Sequence, residues 1–525
     1  MSPRFESRQD AAAVGMSLAW TAAHAPDRPA VLSPHGTRSF GELNRRANQL
    51  ARALRREGIR RGDAIALLCA NRPEFAEVWG AAQRSGLRLT CINFHLQSDE
   101  VAYIVDNCEA RVLVAEPRFA EGAARAAEQS PKLAVRLAIG GPIAGFRDYD
   151  AELAAQKPGD LADPALGATM LYTSGTTGRP KGVYRRRPPE ATRGLGPEVV
   201  RTAAFRPGED LCLCTGPLYH AAPLAFNLAL PLNQGIGTVL MDGWDALETL
   251  RLIESHRCTH THMVATMFHR LIALPPQIRE RFDLESMRFI LHGAAPTPVE
   301  VKRRLIEWLG PIVYEYYAAT EGGGTYIDSH EWLRKPGSVG RPSPGVELEV
   351  RAEDGRRLGP DEVGSVYFRA PEVGRFEYFK DDEKTASAYS GDWFTLRDMG
   401  YLDREGYLFL TGRTAELIIS GGVNIYPAEV DAVLLGHPAV RDVATIGVPS
   451  EEWGEEVKAV VQPEAGFEAG EGLADTLIQH CREQLAHYKC PRTIDFASEL
   501  PRADTGKIYR RRVRDRYWEG RAKSI

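Results

Sequence analysis

Apolar and polar positions in the first quarter of the chain switch between two periods. Leu43, Ala47, Leu50 and Leu54 recur at helical spacing behind Ser39, which stands three residues before Glu42 as a capping box requires. After the turn Arg61-Gly62-Asp63, the run Ala64–Ala70 is apolar throughout and predicts a buried strand. Asn71-Arg72-Pro73-Glu74 opens a second helix, because proline in a first turn gives up an N–H that had no partner to lose. Cys91-Ile92-Asn93 and Arg111–Ala115 predict two further short strands. Strands separated by helices imply a parallel sheet covered on both faces. Further on, Asp210–Thr215 and Phe289-Ile290-Leu291 read as strands, and Met263–Leu274 as an apolar helix. The uncharged stretch Ala11–Ala23 reads as one soluble helix, since Glu6 and Asp10 interrupt the basic region that a signal peptide needs.

Composition changes this picture little. A length of 525 residues suits several domain-sized units and a large core. The net charge of −5 is small for that length and gives no reason to expect a nucleic-acid partner. No uncharged run approaches the ~18 apolar residues of a membrane span. The 8 cysteines are scattered without paired zinc spacing, as expected of reduced thiols in a cytoplasmic protein. His256, Cys258, His260 and His262 recur at every second position, so a strand would place all four on one face. Ligands from one strand cannot surround a metal tetrahedrally, and satisfied strand histidines are the expectation.

The candidate chemistry is concentrated in Leu171-Tyr172-Thr173-Ser174-Gly175-Thr176-Thr177-Gly178-Arg179-Pro180-Lys181-Gly182-Val183. Its glycines let backbone N–H groups turn toward one point, the hydroxyls offer hydrogen bonds to phosphate oxygens, and Lys181 adds a mobile positive charge. It is not a Walker A loop, because no Gly-Lys-Ser/Thr closes it and Pro180 occupies the place where that helix would begin. The basic run Tyr184-Arg185-Arg186-Arg187-Pro188-Pro189 that follows reads as a solvated loop, with contact to a phosphorylated ligand as the alternative.

This loop closely resembles the phosphate-binding signature of adenylate-forming enzymes: acyl-CoA synthetases, luciferases and the adenylation domains of peptide synthetases. Four later stretches fit the same family. They are His292-Gly293-Ala294-Ala295-Pro296, Tyr317-Ala318-Ala319-Thr320-Glu321, Asp398 followed by Gly412-Arg413-Thr414-Ala415, and Leu500-Pro501-Arg502-Ala503-Asp504-Thr505-Gly506-Lys507. The resemblance implies a large N-terminal α/β lobe of mixed and parallel sheets over residues 1–412. A hinge would join it to a small mobile α+β lobe over 413–525.

The resemblance also implies roles. Thr173, Ser174, Gly175, Thr176, Thr177, Gly178 and Lys181 would hold the phosphates of ATP. Gly293, Ala294 and Ala295 would support the adenine and the acyl group. Tyr317 would stack on adenine, Thr320 would touch phosphate and Glu321 would hold Mg²⁺. Asp398 and Arg413 would take the ribose, Ala415 would stand at the hinge, and Gly421 and Gly422 would guide the pantetheine arm of coenzyme A. Lys507 would bridge carboxylate and phosphate in the first step. His220 would shape and gate the acid pocket, with Ala265 and Ala318 on its walls. Two positions depart from the family pattern: Ala318 replaces the usual glycine, and Ala415 replaces the usual Asp or Lys.

The expected activity is ATP-dependent ligation of a small carboxylic acid to coenzyme A through an acyl-adenylate. The small apolar residues Ala221, Ala222, Ala265, Ala294, Ala295 and Ala318 favour an apolar or aromatic acid over an amino acid, whose ammonium would need a buried partner. A luciferase-like or stand-alone adenylating enzyme that does not use coenzyme A remains open. So does a non-catalytic nucleotide-binding regulator. An adenylation domain of a peptide synthetase would be followed by a carrier module, and none follows Ile525.

Overall fold

The computed structural model describes residues 5–173, 180–186, 195–294, 297–413, 416–420, 423–450, 453–502 and 508–519. Two sheets dominate it. In the 6-stranded sheet every pairing is parallel, in the order Arg147–Asp148, Val135–Ala138, Ala110–Ala115, Ala64–Leu68, Arg88–Cys91, Ala168–Thr169. The 9-stranded sheet has a parallel interior running from Val313–Ala319 through Phe289–His292, His260–Met263, Leu211–Cys214 and Gly237–Leu240 to Pro29–Ser33. Antiparallel strands close its two edges.

Helices Phe40–Arg56 and Pro73–Ser85 lie between these sheets, in one core that takes Ile65, Leu67 and Val112 from one sheet and Val31, Cys214 and Leu240 from the other. A helix enclosed on all sides must be apolar or have its polar groups paired. Pro73–Ser85 does both. Phe75, Ala76, Val78 and Trp79 fill the core, while the fully buried Glu77 accepts from Arg38 Nε at 2.8 Å, Arg46 Nε at 2.6 Å and the Tyr149 hydroxyl at 3.0 Å. Helices Ser98–Asn107 and Ala120–Gln129 cover the outer face of the 6-stranded sheet. Ala246–His256, Ala265–Ala273 and Val299–Leu309 cover that of the 9-stranded one.

The capping box at Ser39 and Pro73 in the first turn are both present. Three sequence expectations are corrected. The stretch Ala11–Ala23 is two helices, Arg8–Ala13 and Ser17–His24, broken at Gly15 with φ 74°. A Cβ on Gly15 would stand 2.1 Å from the Gln83 carbonyl oxygen, so the chain turns there in a left-handed conformation against the next layer. The strand placed at Cys91-Ile92-Asn93 runs instead over Arg88–Cys91, in register with Ala64–Leu67. The alternating histidine face is shorter than expected: His256 ends a helix, and only His260 and His262 lie in the strand His260–Met263.

A 5-stranded antiparallel sheet built from residues 348–413 follows, a feature the sequence reading did not anticipate. The last sheet, again of 5 strands, draws only on residues 418–496 and has its own core with helices Pro427–Leu435 and Glu471–Gln484. All 8 cysteines are buried and unpaired. Among the described residues no helix is long and apolar enough to cross a membrane.

Candidate active site

Open parallel sheets leave a crevice at the carboxyl ends of their strands. Here strands Leu211–Cys214, His260–Met263, Phe289–His292 and Val313–Ala319 run out into Gly216, Val264, Ala294 and Thr320, which line one cavity of about 860 Å³. A small sheet forms the opposite wall. It pairs Leu171–Thr173 with Lys181–Tyr184, and Lys181–Tyr184 with Glu377–Tyr378.

Lys181 lies across from Thr173 in that sheet, and both line the cavity. Partial burial lowers the Lys181 pKa, with Lys384 adding repulsion, and its Nζ sits 5.1 Å from the centre of the Tyr378 ring. Tyr378 donates its hydroxyl to Glu321 Oε1 at 2.9 Å. One tyrosine thus ties the lysine to the carboxylate. Sequence reading missed Tyr378, because only the long-range pairing of Glu377–Tyr378 with Val183–Tyr184 brings it here.

Thr320 and Glu321 form the turn between Val313–Ala319 and Gly322–Ile327, and both line the cavity. Gly323 has φ 83°, and a Cβ there would meet the Phe368 ring at 2.8 Å. That turn is therefore fixed by packing beneath it. Behind it, Tyr317 donates to Asp398 Oδ2 at 2.6 Å, and the strand register sets Asp398 opposite Arg413. Asp398 is buried, and neither it nor Tyr317 lines the cavity.

Another part of the cavity wall is built largely of small groups. His220, Ala221, Ala222 and Ala318 line it together with Phe226 and Met267. Ala265 does not reach the cavity; its neighbours Met263 and Val264 do. Gly293 is likewise set back, because its missing Cβ is required by the Tyr316 ring, which a Cβ would meet at 2.7 Å. Ala294 lines the cavity with φ 70°, an unusual conformation for a residue with a side chain. His262 and Tyr316 also line it, joined at 3.1 Å through His262 Nε2, and burial lowers the His262 pKa to about 3. His260 contacts the Ala203 carbonyl at 2.8 Å and Thr259 Oγ1 at 2.7 Å. Among the described residues no three His, Cys, Asp or Glu side chains converge as a metal cluster.

The basic run divides. Arg186 is exposed and pairs with Glu377 at 3.0 Å, as a solvated residue should. Arg185 instead is half-buried and lines the cavity. The signal was present in the alternation: Lys181, Val183 and Arg185 lie two apart and all three line the cavity. Ser174, Gly175, Thr176, Thr177, Gly178, Ala295, Ala415, Gly421, Gly422 and Lys507 lie outside the described residues, as does the side chain of Arg413.

Comparison with known proteins identifies the family. The AMP-binding enzyme family matches residues 18–376, and the AMP-binding enzyme C-terminal domain matches residues 429–507. A feruloyl-CoA synthase from Amycolatopsis sp is 34% identical over 94% of this chain and 98% of its own. An indoleacetate–CoA ligase from Aromatoleum aromaticum is 33% identical over 94% and 97%. The crystal structure of the anthranilate CoA ligase AuaEII in complex with anthranoyl-AMP superposes with a TM-score of 0.83 at 25% identity, covering 95% of this chain and 97% of that one. The chain therefore belongs to the AMP-binding enzyme family.

Proposed function

We propose that the protein is an AMP-forming carboxylate–CoA ligase acting on an apolar or aromatic acid. The observation that carries this reading is a single cavity with two chemistries. Lys181, Thr320 and Glu321 stand on one part of its wall, and His220, Ala221, Ala222 and Ala318 on another. The relatives include ligases named for ferulate, indoleacetate and long-chain fatty acids, which supports an apolar or aromatic acid.

The acid arrives ionised at neutral pH and needs no base. Its carboxylate oxygen forms a bond to the α-phosphorus of ATP as the bond to pyrophosphate breaks, giving acyl-adenylate. Negative oxygens must be brought together and charge grows on the leaving pyrophosphate, so the protein's part is electrostatic. Lys181, Thr173 and the loop through Gly178 would hold the outer phosphates; Tyr317 and Asp398, which stand behind the cavity wall, and Arg413 would take the nucleoside; Lys507 would bridge carboxylate and α-phosphate. In the second step the thiol of coenzyme A loses its proton, its sulfur bonds to the acyl carbon, and the bond to AMP breaks. Residues 413–525 would turn about Ala415 between the steps, replacing Lys507 with the Gly421–Gly422 face.

The donors on the wall fit Mg²⁺. Glu321 is a half-buried carboxylate on the cavity wall, with the Thr320 hydroxyl beside it in sequence. Mg²⁺ is commonly held by one or two carboxylates plus substrate phosphates, which Glu321 and a bound nucleotide would supply together. When bound, the ion would neutralise phosphate charge. A cytoplasmic location is part of this proposal, supported by the 8 unpaired buried thiols.

A panel of aromatic and aliphatic acids, assayed for AMP release with and without coenzyme A, tests the reading. Acid-dependent AMP release that requires coenzyme A supports it. AMP release indifferent to coenzyme A would favour a stand-alone adenylating enzyme.

A further inference from the structure

Arg185 is the feature of the cavity that the reading above leaves unused. Its Nη1 donates to the Thr320 carbonyl at 3.2 Å and its Nη2 to the Glu321 carbonyl at 2.5 Å. The guanidinium therefore grips the backbone of the two residues assigned to phosphate and metal. Gly322, at φ 127°, leaves the room: a Cβ there would stand 3.2 Å from Arg185 Nη2. Among the described residues no carboxylate makes an ion pair with Arg185, although its neighbour Arg186 has one in Glu377. A half-buried guanidinium bound to carbonyls keeps its charge, since arginine does not lose its proton in proteins. Burial opposes that charge, and Glu321 and Tyr389 favour it.

We propose that Arg185 is a positioning residue for the first half-reaction. Its two-pronged contact sets the Thr320–Glu321 turn in the register that meets the metal and the α-phosphate. Its charge favours entry of the phosphates into that end of the cavity. The proposal rests on the carboxylate-activating reading of the site. Lysine would keep the charge and lose the planar fork, so the two contributions can be separated.

The test compares Arg185→Gln and Arg185→Lys with the wild-type full-length chain. Calorimetric binding of MgATP without acid is one readout, and the Mg²⁺ titration of acid-dependent ATP–pyrophosphate exchange is the other. Outer-sphere partners of a metal site typically cost about 10–100-fold in affinity or activity when removed, and Arg185→Gln should fall in that range in both readouts. Arg185→Lys should recover MgATP binding while leaving the Mg²⁺ requirement raised. Thioester formation from supplied acyl-adenylate should stay within about threefold of wild type, because the metal-dependent step is bypassed. Wild-type MgATP affinity and an unchanged Mg²⁺ titration in folded Arg185→Gln would overturn the proposal, as would equal losses in both half-reactions. If Arg185→Gln does not fold, Arg185→Lys alone decides through its Mg²⁺ titration. If the wild-type chain shows no exchange with any acid, the proposed function fails, whereas MgATP binding still decides the role of Arg185.

Discussion

Ala318 shows how much one methyl group can decide. It lines the cavity at the irregular end of strand Val313–Ala319, where the register shifts between Tyr317 and Ala319. A methyl in a packed pocket discriminates between substrates by about 1–3 kcal/mol. Ala318→Gly should therefore widen the range toward bulkier acids, and Ala318→Trp should confine activity to very short ones, with ATP affinity unchanged in both. The check is kcat/KM over a series of ring sizes and chain lengths. Identical profiles in all three proteins would remove Ala318 from the acyl channel. The residues around it divide into those a sequence reader finds and those it cannot. Lys181, Thr320 and Glu321 carry short ordered motifs, and they reach the cavity. Tyr378 has no local pattern at all, and Gly293 answers to the Tyr316 ring beneath it rather than to a ligand. Contacts of that kind depend on which strands pair, and pairing is not written in any one window of sequence.

The middle layer of helices and the strand His260–Met263 carry buried polar groups whose pairing and titration bear on stability. Glu77 is fully buried and accepts from Arg38, Arg46 and Tyr149, which join helix Pro73–Ser85 to its neighbours. Removing one partner of a buried ion pair costs about 3–5 kcal/mol, and because Arg38 and Arg46 retain some solvent contact, Glu77→Ala should fall at the lower end. Urea denaturation measures this, with Glu77→Gln expected to lose less. A second prediction concerns acid. Burial lowers the pKa of His260 to about 4 and of His262 to about 3, against an ordinary value of 6.5. The unfolded chain thus binds protons that the folded chain refuses, so stability is full above pH 6.5 and falls as pH drops through that value. By pH 5 each histidine should have removed about 2 kcal/mol, from a linkage of about 1.4 kcal/mol per unit. Unfolding free energy measured from pH 7.5 to pH 5 should show this slope, and His262→Gln should make it shallower. A flat profile would place both histidines in contact with solvent. At this scale the sequence was legible in its caps and strand runs. The break at Gly15 was not, because it answers to the Gln83 carbonyl 68 residues away.

The whole molecule is best described as two sheet-based layers that present a cavity, followed by a separate small sheet over residues 418–496. The proposed chemistry needs that small unit to serve each step in turn. Lys507 belongs to the first step alone under this scheme. Lys507→Ala should reduce adenylate formation by about 10²–10³-fold, the usual loss for one charge-stabilising donor, and spare thioester formation from supplied acyl-adenylate. Rapid-quench assays of the separate half-reactions would read this, and equal losses in both would contradict a lobe that changes roles. The most direct measurement of the central claim is ATP–pyrophosphate exchange in the absence of coenzyme A, run with the acid that supports AMP release best. Acid activation as a separate first step predicts exchange that requires the acid, proceeds without coenzyme A, and gives way to net AMP and acyl-CoA production when coenzyme A is added. Exchange that is absent without coenzyme A, or that proceeds without any acid, would contradict the account.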